Sequence, residues 1–308
     1  EIKNIKIKYE NDPCYYLKSI KNNIEINGAK KSNLRDGLSV TKFIYWLKNK
    51  MQINNNDELS ASKYLYNLRK KNELFFSLSF ETISAIGKNA AIPHYRLTKK
   101  SNLIFKENVI YLIDSGAQYL DGTTDITRTI VIGRPTEEHK DRFTRVLKGH
   151  IAIATAEFNK NTKGSDLDSL ARKDLKKIGC DFDHGTGHGI GSFANVHEGP
   201  QRISKSYLSN DVYLQQGMIL SNEPGYYKKN KYGIRIENLI TVIKKSNQKL
   251  AFNTISLAPI DIDLVNKKLL TKKEIAWINN YHAKVKKSLS NFLNIKEKKW
   301  LINVTKCI

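Results

Sequence analysis

Cysteine, acidic residues and long apolar runs are all scarce in this chain. The three cysteines, Cys14, Cys180 and Cys307, are odd in number, widely spaced and free of any CxxC pair. That usage points to a reducing compartment, and so to a cytoplasmic location. No apolar run approaches the roughly 18 residues needed to span a bilayer, so no membrane association is expected. There is also no repeat of fixed period and no low-complexity linker. What remains is 308 residues, 40% hydrophobic, 9% aromatic and 27% charged, a globular composition that excludes a fibre, a collagen and a wholly disordered tail. A chain of this size buries a real core without covalent staples.

Lys and Arg number 52 against 30 Asp and Glu, a formal net charge of +22. A basic face is the electrostatic footprint of phosphate binding. Here, however, 42 of the 52 basic residues are Lys and only 10 are Arg, and they are scattered along the chain. They read as a solvated shell, and a nucleic-acid partner is not expected. The sequence opens at Glu1 with no initiator Met and no charged-then-apolar leader, and reads as a piece of something longer.

Apolar residues recur at helical spacing from Tyr15 to Gln52, predicting two helices around Gly28. Ser60 is expected to cap a helix over 61–71. Leu74 to Ile86 reads as a strand, as do Val109 to Asp114 and Thr124 to Ile132; Glu137 to Phe158 and Ser165 to Ile178 read as helices. Two strand-like runs between Met218 and Ile243 flank a lysine-rich turn, and Thr271 to Val304 is helical, with Trp277 and Trp300 packing on the body. Strands and helices alternate without a regular βα repeat, so the expected class is α+β.

The chemistry concentrates in acids placed within these strands. Asp114 and Asp125 lie symmetrically about a point between Tyr119 and Leu120, beside the turn residues Asp121-Gly122. A hairpin centred there sets them opposite each other on one sheet face. Glu223 and Glu237 are likewise symmetrical about Asn230, the centre of the Lys228-Lys229-Asn230-Lys231 turn. A lone acid among so many lysines is most simply a surface ion-pair partner. Two mirror-related pairs inside apolar strands are not, because like charges side by side are costly unless a cation lies between them. Between the pairs runs His184-Gly-Thr-Gly-His-Gly-Ile-Gly191, followed by His197-Glu198-Gly199-Pro200, gathering three of the seven histidines. Alternate glycines there let the backbone pass close to something. Four carboxylates and an imidazole make a mostly oxygen shell for two divalent cations, which suits Mn²⁺, with Zn²⁺ and Co²⁺ as alternatives.

The runs Asp114 to Thr129, His184 to Pro200, Ser221-Asn-Glu-Pro-Gly-Tyr-Tyr227 and Gly233-Ile-Arg-Ile-Glu-Asn238 together resemble the catalytic domain of aminopeptidase P, the X-Pro aminopeptidase, of the eukaryotic cytosolic type. The resemblance runs from the helix around Ala29 through the tail at Trp300. It implies the pita-bread fold, a curved antiparallel sheet with outer helices, and a homodimer, with the tail around Trp277 and Tyr281 contributing. It implies a link from preceding domains over 1–20, the catalytic domain over 21–262 and a C-terminal helical extension over 263–308.

By the same resemblance Asp114 holds one metal, His188 and Glu223 the other, and Asp125 and Glu237 bridge the two. His94, in Ala91-Ile-Pro-His-Tyr95, matches a substrate-side histidine, as do His184 and His197, and Tyr227 matches a position near the substrate. Arg235 and Thr127 are read as supports for ligand carboxylates, Thr127 beside Asp125, and Arg128 as structural. Ser221-Asn222 stands where relatives often carry Thr-Asp or Thr-Asn. The implied reaction is attack of a metal-bridged hydroxide on the bond before a second-position proline. Glu223 would shuttle the proton, His94 and His197 would stabilise the oxyanion, and His184 would lie near the proline ring. Prolidase and methionine aminopeptidase share the fold and metals. The fold also has relatives that have lost their ligands and act as non-catalytic peptide, histone or RNA binders.

Overall fold

The computed structural model describes residue 8 and residues 12–206 and 211–308; residues 1–7 and 9–11 of the expected link lie outside the described residues. Helix α1 (Pro13–Ser19) leads into α2 (Asn23–Asn49) and α3 (Glu58–Arg69). Then come β1 (Phe75–Leu78), β2 (Ile83–Ile86), β3 (Val109–Ser115), β4 (Ala117–Tyr119), β5 (Gly122–Thr123), β6 (Ile126–Ile132) and α4 (Glu137–Ala154). After β7 (Glu157–Asn159) and α5 (Gly164–Lys176) the chain forms β8 (Gly187–His188), β9 (Arg202–Ile203), β10 (Ile219–Asn222) and β11 (Gly225–Lys228). It closes with β12 (Tyr232–Arg235), β13 (Asn238–Lys244), β14 (Lys249–Thr254), α6 (Lys272–Leu289) and α7 (Ile295–Val304). Helices and antiparallel strands in this order give the expected α+β class.

Several boundaries differ from the sequence reading for physical reasons. The 15–52 region holds the end of α1 and the whole of α2, so the two helices part at residues 20–22 and not at Gly28; α2 is opened by a capping box of Asn22 and Glu25. Gly28 marks a close approach and not a break, since a Cβ there would lie 2.0 Å from the Asp121 carbonyl oxygen. The cap of α3 is Asp57, whose Oδ1 accepts from Ser60 N–H at 2.7 Å, and Ser60 returns the bond at the third helical position. The 74–86 run splits into β1, paired with β4, and β2, paired with β3. Helix α4 stops at Ala154, and Phe158 belongs to β7.

Two hairpins organise the interior. In the first, Asp114 pairs with Thr127 and Tyr119 with Gly122, so the turn is centred between Leu120 and Asp121, one residue later than the sequence suggested. Asp125 therefore stands two positions from the residue facing Asp114, still on the same sheet face, because side chains alternate with period two. In the second, Gly225 pairs with Arg235 and Asn222 with Asn238, a register symmetrical about Asn230, which takes a positive φ of 59° at the turn. The hairpins lie side by side: Glu237 N–H donates to Thr127 O at 3.2 Å, and Thr129 Oγ1 donates to Arg235 O at 2.9 Å.

Apolar layers clamp this pair of hairpins. Phe143, Val146 and Leu147 of α4 pack with Leu167 and Leu175 of α5 against Leu220, Ile240 and Val242. On the other side Val40, Phe43 and Leu47 of α2 and Leu65 of α3 cover Tyr111, Ile113 and Ile130. Trp277 and Trp300 do pack on the body, Trp277 stacked on Tyr281 at 5.3 Å and Trp300 edge-on to Tyr45 at 5.7 Å. Tyr281 is turned inward, its hydroxyl 2.8 Å from Arg128 Nη2. Among the described residues no helix is long and apolar enough to cross a membrane.

Candidate metal centre

The two hairpins deliver their acids to the base of a cavity of about 410 Å³, where Asp114, Asp125, Glu223, Glu237 and His188 converge. Asp125, His188 and Glu237 bring ligand atoms within 4.8 Å of one another. His188 Nε2 lies 3.5 Å from Asp125 Oδ2 and 3.4 Å from Glu223 Oε1. Its Nδ1 faces the Gly189 carbonyl at 3.0 Å, which can only accept, so Nδ1 holds the proton and Nε2 turns a lone pair toward the acids. Gly187 allows this placement, because a Cβ there would stand 2.0 Å from Ser221 O.

The acids titrate as crowded, dry groups. Burial, then the charges of Asp114 and Glu223, pushes Asp125 well above the carboxylate range. Glu237 is pushed well up by burial and then by Asp125, and Glu223 is raised by burial with Asp114 adding to it. Asp114 Oδ1 and Asp125 Oδ1 are buried without a hydrogen-bond partner. Buried carboxylate oxygens without a partner, and others facing an imidazole lone pair, are unfavourable as they stand. A divalent cation satisfies all of them, and the donor set of oxygens with one nitrogen fits such an ion.

The surrounding groups hold the acids in place. Arg235 Nη2 donates to Asp114 Oδ2 at 2.6 Å, so Asp114 is the carboxylate it supports. Thr127 Oγ1 donates to Glu237 Oε2 at 2.7 Å, and Glu237, not Asp125, is its partner. Arg128, fully buried, spends its guanidinium on Thr127 O, Glu237 O, Asn238 Oδ1, Ala258 O and Pro259 O, as befits a structural residue. Ser221, noted in the sequence only as a departure from relatives, has a role of its own: its hydroxyl accepts from His188 N–H at 2.9 Å and donates to Glu223 Oε1 at 3.0 Å. Its position two residues before Glu223 was the available signal.

His94, His184 and His197 all line the same cavity, together with Phe80, Ile83 and Pro93, apolar residues that carried no distinguishing pattern in the sequence. The His197 ring lies 4.2 Å from that of His188 at the open side of the cleft, and desolvation there, then His188, lowers its pKa. Burial, then Arg235, lowers His184 to about 4. Tyr227 stands behind the wall: its hydroxyl receives Arg235 Nη1 at 2.6 Å and lies 2.8 Å from His184 Nε2. Burial outweighs the help of Arg235 and pushes the Tyr227 phenol up to about 12.

A buried acid cluster around an imidazole, set on paired hairpins in an α+β body, defines a hydrolase-type metal centre open to a cleft. Residues 28–244 match metallopeptidase family M24, and residues 248–308 match the C-terminal region of peptidase M24. The chain belongs to metallopeptidase family M24 and has its pita-bread fold. It is 41% identical to Xaa-Pro aminopeptidase 1 of Dictyostelium discoideum over 96% of this chain and 49% of that protein. It is 40% identical to aminopeptidase P1 of Arabidopsis thaliana over 97% of this chain and 51% of that protein. The crystal structure of X-prolyl aminopeptidase from Caenorhabditis elegans, a cytosolic enzyme with a di-nuclear active site, superposes with a TM-score of 0.91 at 40% identity, covering 96% of this chain and 50% of that one. Prolidase from Pyrococcus furiosus gives 0.67 at 28% identity, covering 79% and 66%. The chain spans about half the length of the curated relatives it matches.

Proposed function

We propose that this chain is the catalytic part of a dinuclear metal-dependent X-Pro aminopeptidase, removing the first residue of peptides with proline in second position. The observation that carries this reading is the pair of buried, unpartnered oxygens of Asp114 and Asp125 in an acid cluster that also meets His188 Nε2, at the base of a cleft walled by three histidines. Asp114, Asp125, His188, Glu223 and Glu237 would hold two divalent ions, with Mn²⁺ favoured by the oxygen-rich set and Zn²⁺ and Co²⁺ as alternatives. When bound, such ions supply an activated water and polarise the scissile carbonyl.

The remaining work falls to this chain's own side chains. Glu223, raised in pKa by burial and open to the cavity, moves the proton toward the prolyl nitrogen. His94 and His197 orient the peptide and donate to the carbonyl oxygen as charge develops on it. His184 has Nδ1 on Gly185 O at 2.8 Å and Nε2 on the Tyr227 hydroxyl, so it offers the cleft a ring edge more than a proton. Together with Phe80, Ile83 and Pro93 that edge makes an apolar wall for a proline ring, whose nitrogen has no hydrogen to donate.

The division into a catalytic domain over 21–262 and a helical extension over 263–308 belongs to the same proposal; the two family segments, 28–244 and 248–308, support a two-part chain but part earlier than that boundary. A cytoplasmic location is supported by the description of the nematode enzyme as cytosolic. A homodimer rests on the family resemblance; Tyr281, turned inward, is not available to that interface, and sedimentation of the protein tests it. Incubating metal-loaded protein with Arg-Pro-Pro, an X-Pro dipeptide and a Met-Ala peptide separates the aminopeptidase from prolidase and methionine aminopeptidase. Release of arginine from Arg-Pro-Pro is expected, and cleavage of only the other two would reject this reading.

A further inference from the structure

His94 stands exposed on a short turn at the cavity wall. Ile92 N–H donates to Asn89 O and Tyr95 N–H to Ile92 O, each at 3.1 Å, so two successive tight turns carry the histidine. Turns of this kind have few bonds of their own, and their placement depends on what holds their ends. Both ends reach the same buried group. Glu58, the first residue of α3, is 0% exposed. Its Oε1 accepts from Ile86 N–H at 2.6 Å and Asn89 Nδ2 at 3.0 Å. Its Oε2 accepts from the Tyr95 hydroxyl and from Leu103 N–H, each at 3.0 Å. The strand entering the turn, the residues on either side of His94 and the returning segment are thus gathered on one carboxylate.

A carboxylate costs a great deal to bury, and the donors around Glu58 offset that cost. An acceptor-only group is required, because a glutamine would set its own N–H groups against these donors.

We propose that Glu58 is a positioning residue that sets the place of the His94 imidazole at the cavity wall through Asn89 and Tyr95. The inference rests on reading His94 as a substrate-side group of the aminopeptidase. Tyr95→Phe removes one hydroxyl and leaves Glu58 its other donors, so the fold is retained; Glu58→Gln is the harsher variant. In Mn²⁺-loaded protein, Tyr95→Phe is expected to lower kcat/KM on Arg-Pro-Pro about tenfold with metal content unchanged. In a His94→Ala background the same change should cost nothing further, since the two act through one group. An equal loss in both backgrounds would overturn the proposal. A second readout needs no turnover: in histidine-labelled protein the His94 ring resonance, assigned by its loss in His94→Ala, should move in Tyr95→Phe and in Glu58→Gln while that of His188 stays. An unmoved His94 signal rejects the positioning role. A moved signal with full activity retained by His94→Ala upholds the positioning and rejects the substrate-side reading of His94.

Discussion

The acids at the base of the cavity and the histidines on its walls are held in different ways. Asp114, Asp125, Glu223 and Glu237 stand on or directly beside strands held in antiparallel ladders, and the two hairpins are bonded to each other through Thr127 and Thr129. His94, His184 and His197 stand on loops, each gathered by a buried ion. Glu58 serves the His94 turn. Arg172, paired with Asp168, holds His184 O at 2.9 Å, and Glu198, bound to Lys18 and Lys21 at 3.1 Å, sits next to His197. A base that must oppose like charges needs the stiffness of a sheet; walls that meet a variable peptide can be carried on loops.

The largest effect is expected at the base. Asp125→Asn removes a charge from the centre of the cluster, and turnover should fall by more than about a thousandfold together with metal content. Full activity measured in that variant would refute the ligand assignment. At the wall, His197→Ala should lower kcat by about ten- to a hundredfold while metal content, read by elemental analysis, stays at the wild-type level. Loss of metal there would mean that base and wall are one unit.

Thr127→Val tests the support of the base, since it takes from Glu237 its hydroxyl donor. A fall of about tenfold in metal affinity is expected by titration, with little change in the fold by circular dichroism.

The smallest effect concerns stability. His150 is pushed down to about 3 by burial and then Arg128, and His282 to about 4 by the same two causes. Folded imidazoles that refuse protons are protonated first in the unfolded chain, whose histidines titrate near 6.5. Their contribution to stability is therefore full above about pH 6.5 and is lost as pH falls toward 4 and 3. Melting temperature should drop across that window, and His282→Gln should flatten the drop by an amount on the order of 1–3 kcal/mol. An unchanged slope would show that His282 is not a proton-excluding group.

The same division explains what could be read from the sequence. The acids of the second hairpin were legible because Asn230 marks the centre of a symmetrical turn and alternation does the rest. In the first hairpin the turn centre was misplaced by one residue, yet a register error of two keeps every side chain on its face, so Asp114 and Asp125 still share one. On the walls, His184 and His197 stand out as histidines in a glycine-rich run, whereas His94 is legible only through resemblance. Glu198, the neighbour of His197, takes its partner Lys21 from 177 residues away, and the His94 turn meets a glutamate that looks like any helix-opening acid. The misjudged helix at Gly28 has the same origin: the glycine answers to the Asp121 backbone of a distant turn, which no local pattern reveals.

The most direct test of the central claim is metal content measured alongside cleavage of Arg-Pro-Pro on one preparation. Two divalent ions per chain and release of free arginine are expected, both abolished by a chelator and restored by Mn²⁺. A protein that binds no metal, or that binds two ions and leaves the peptide intact, would contradict it.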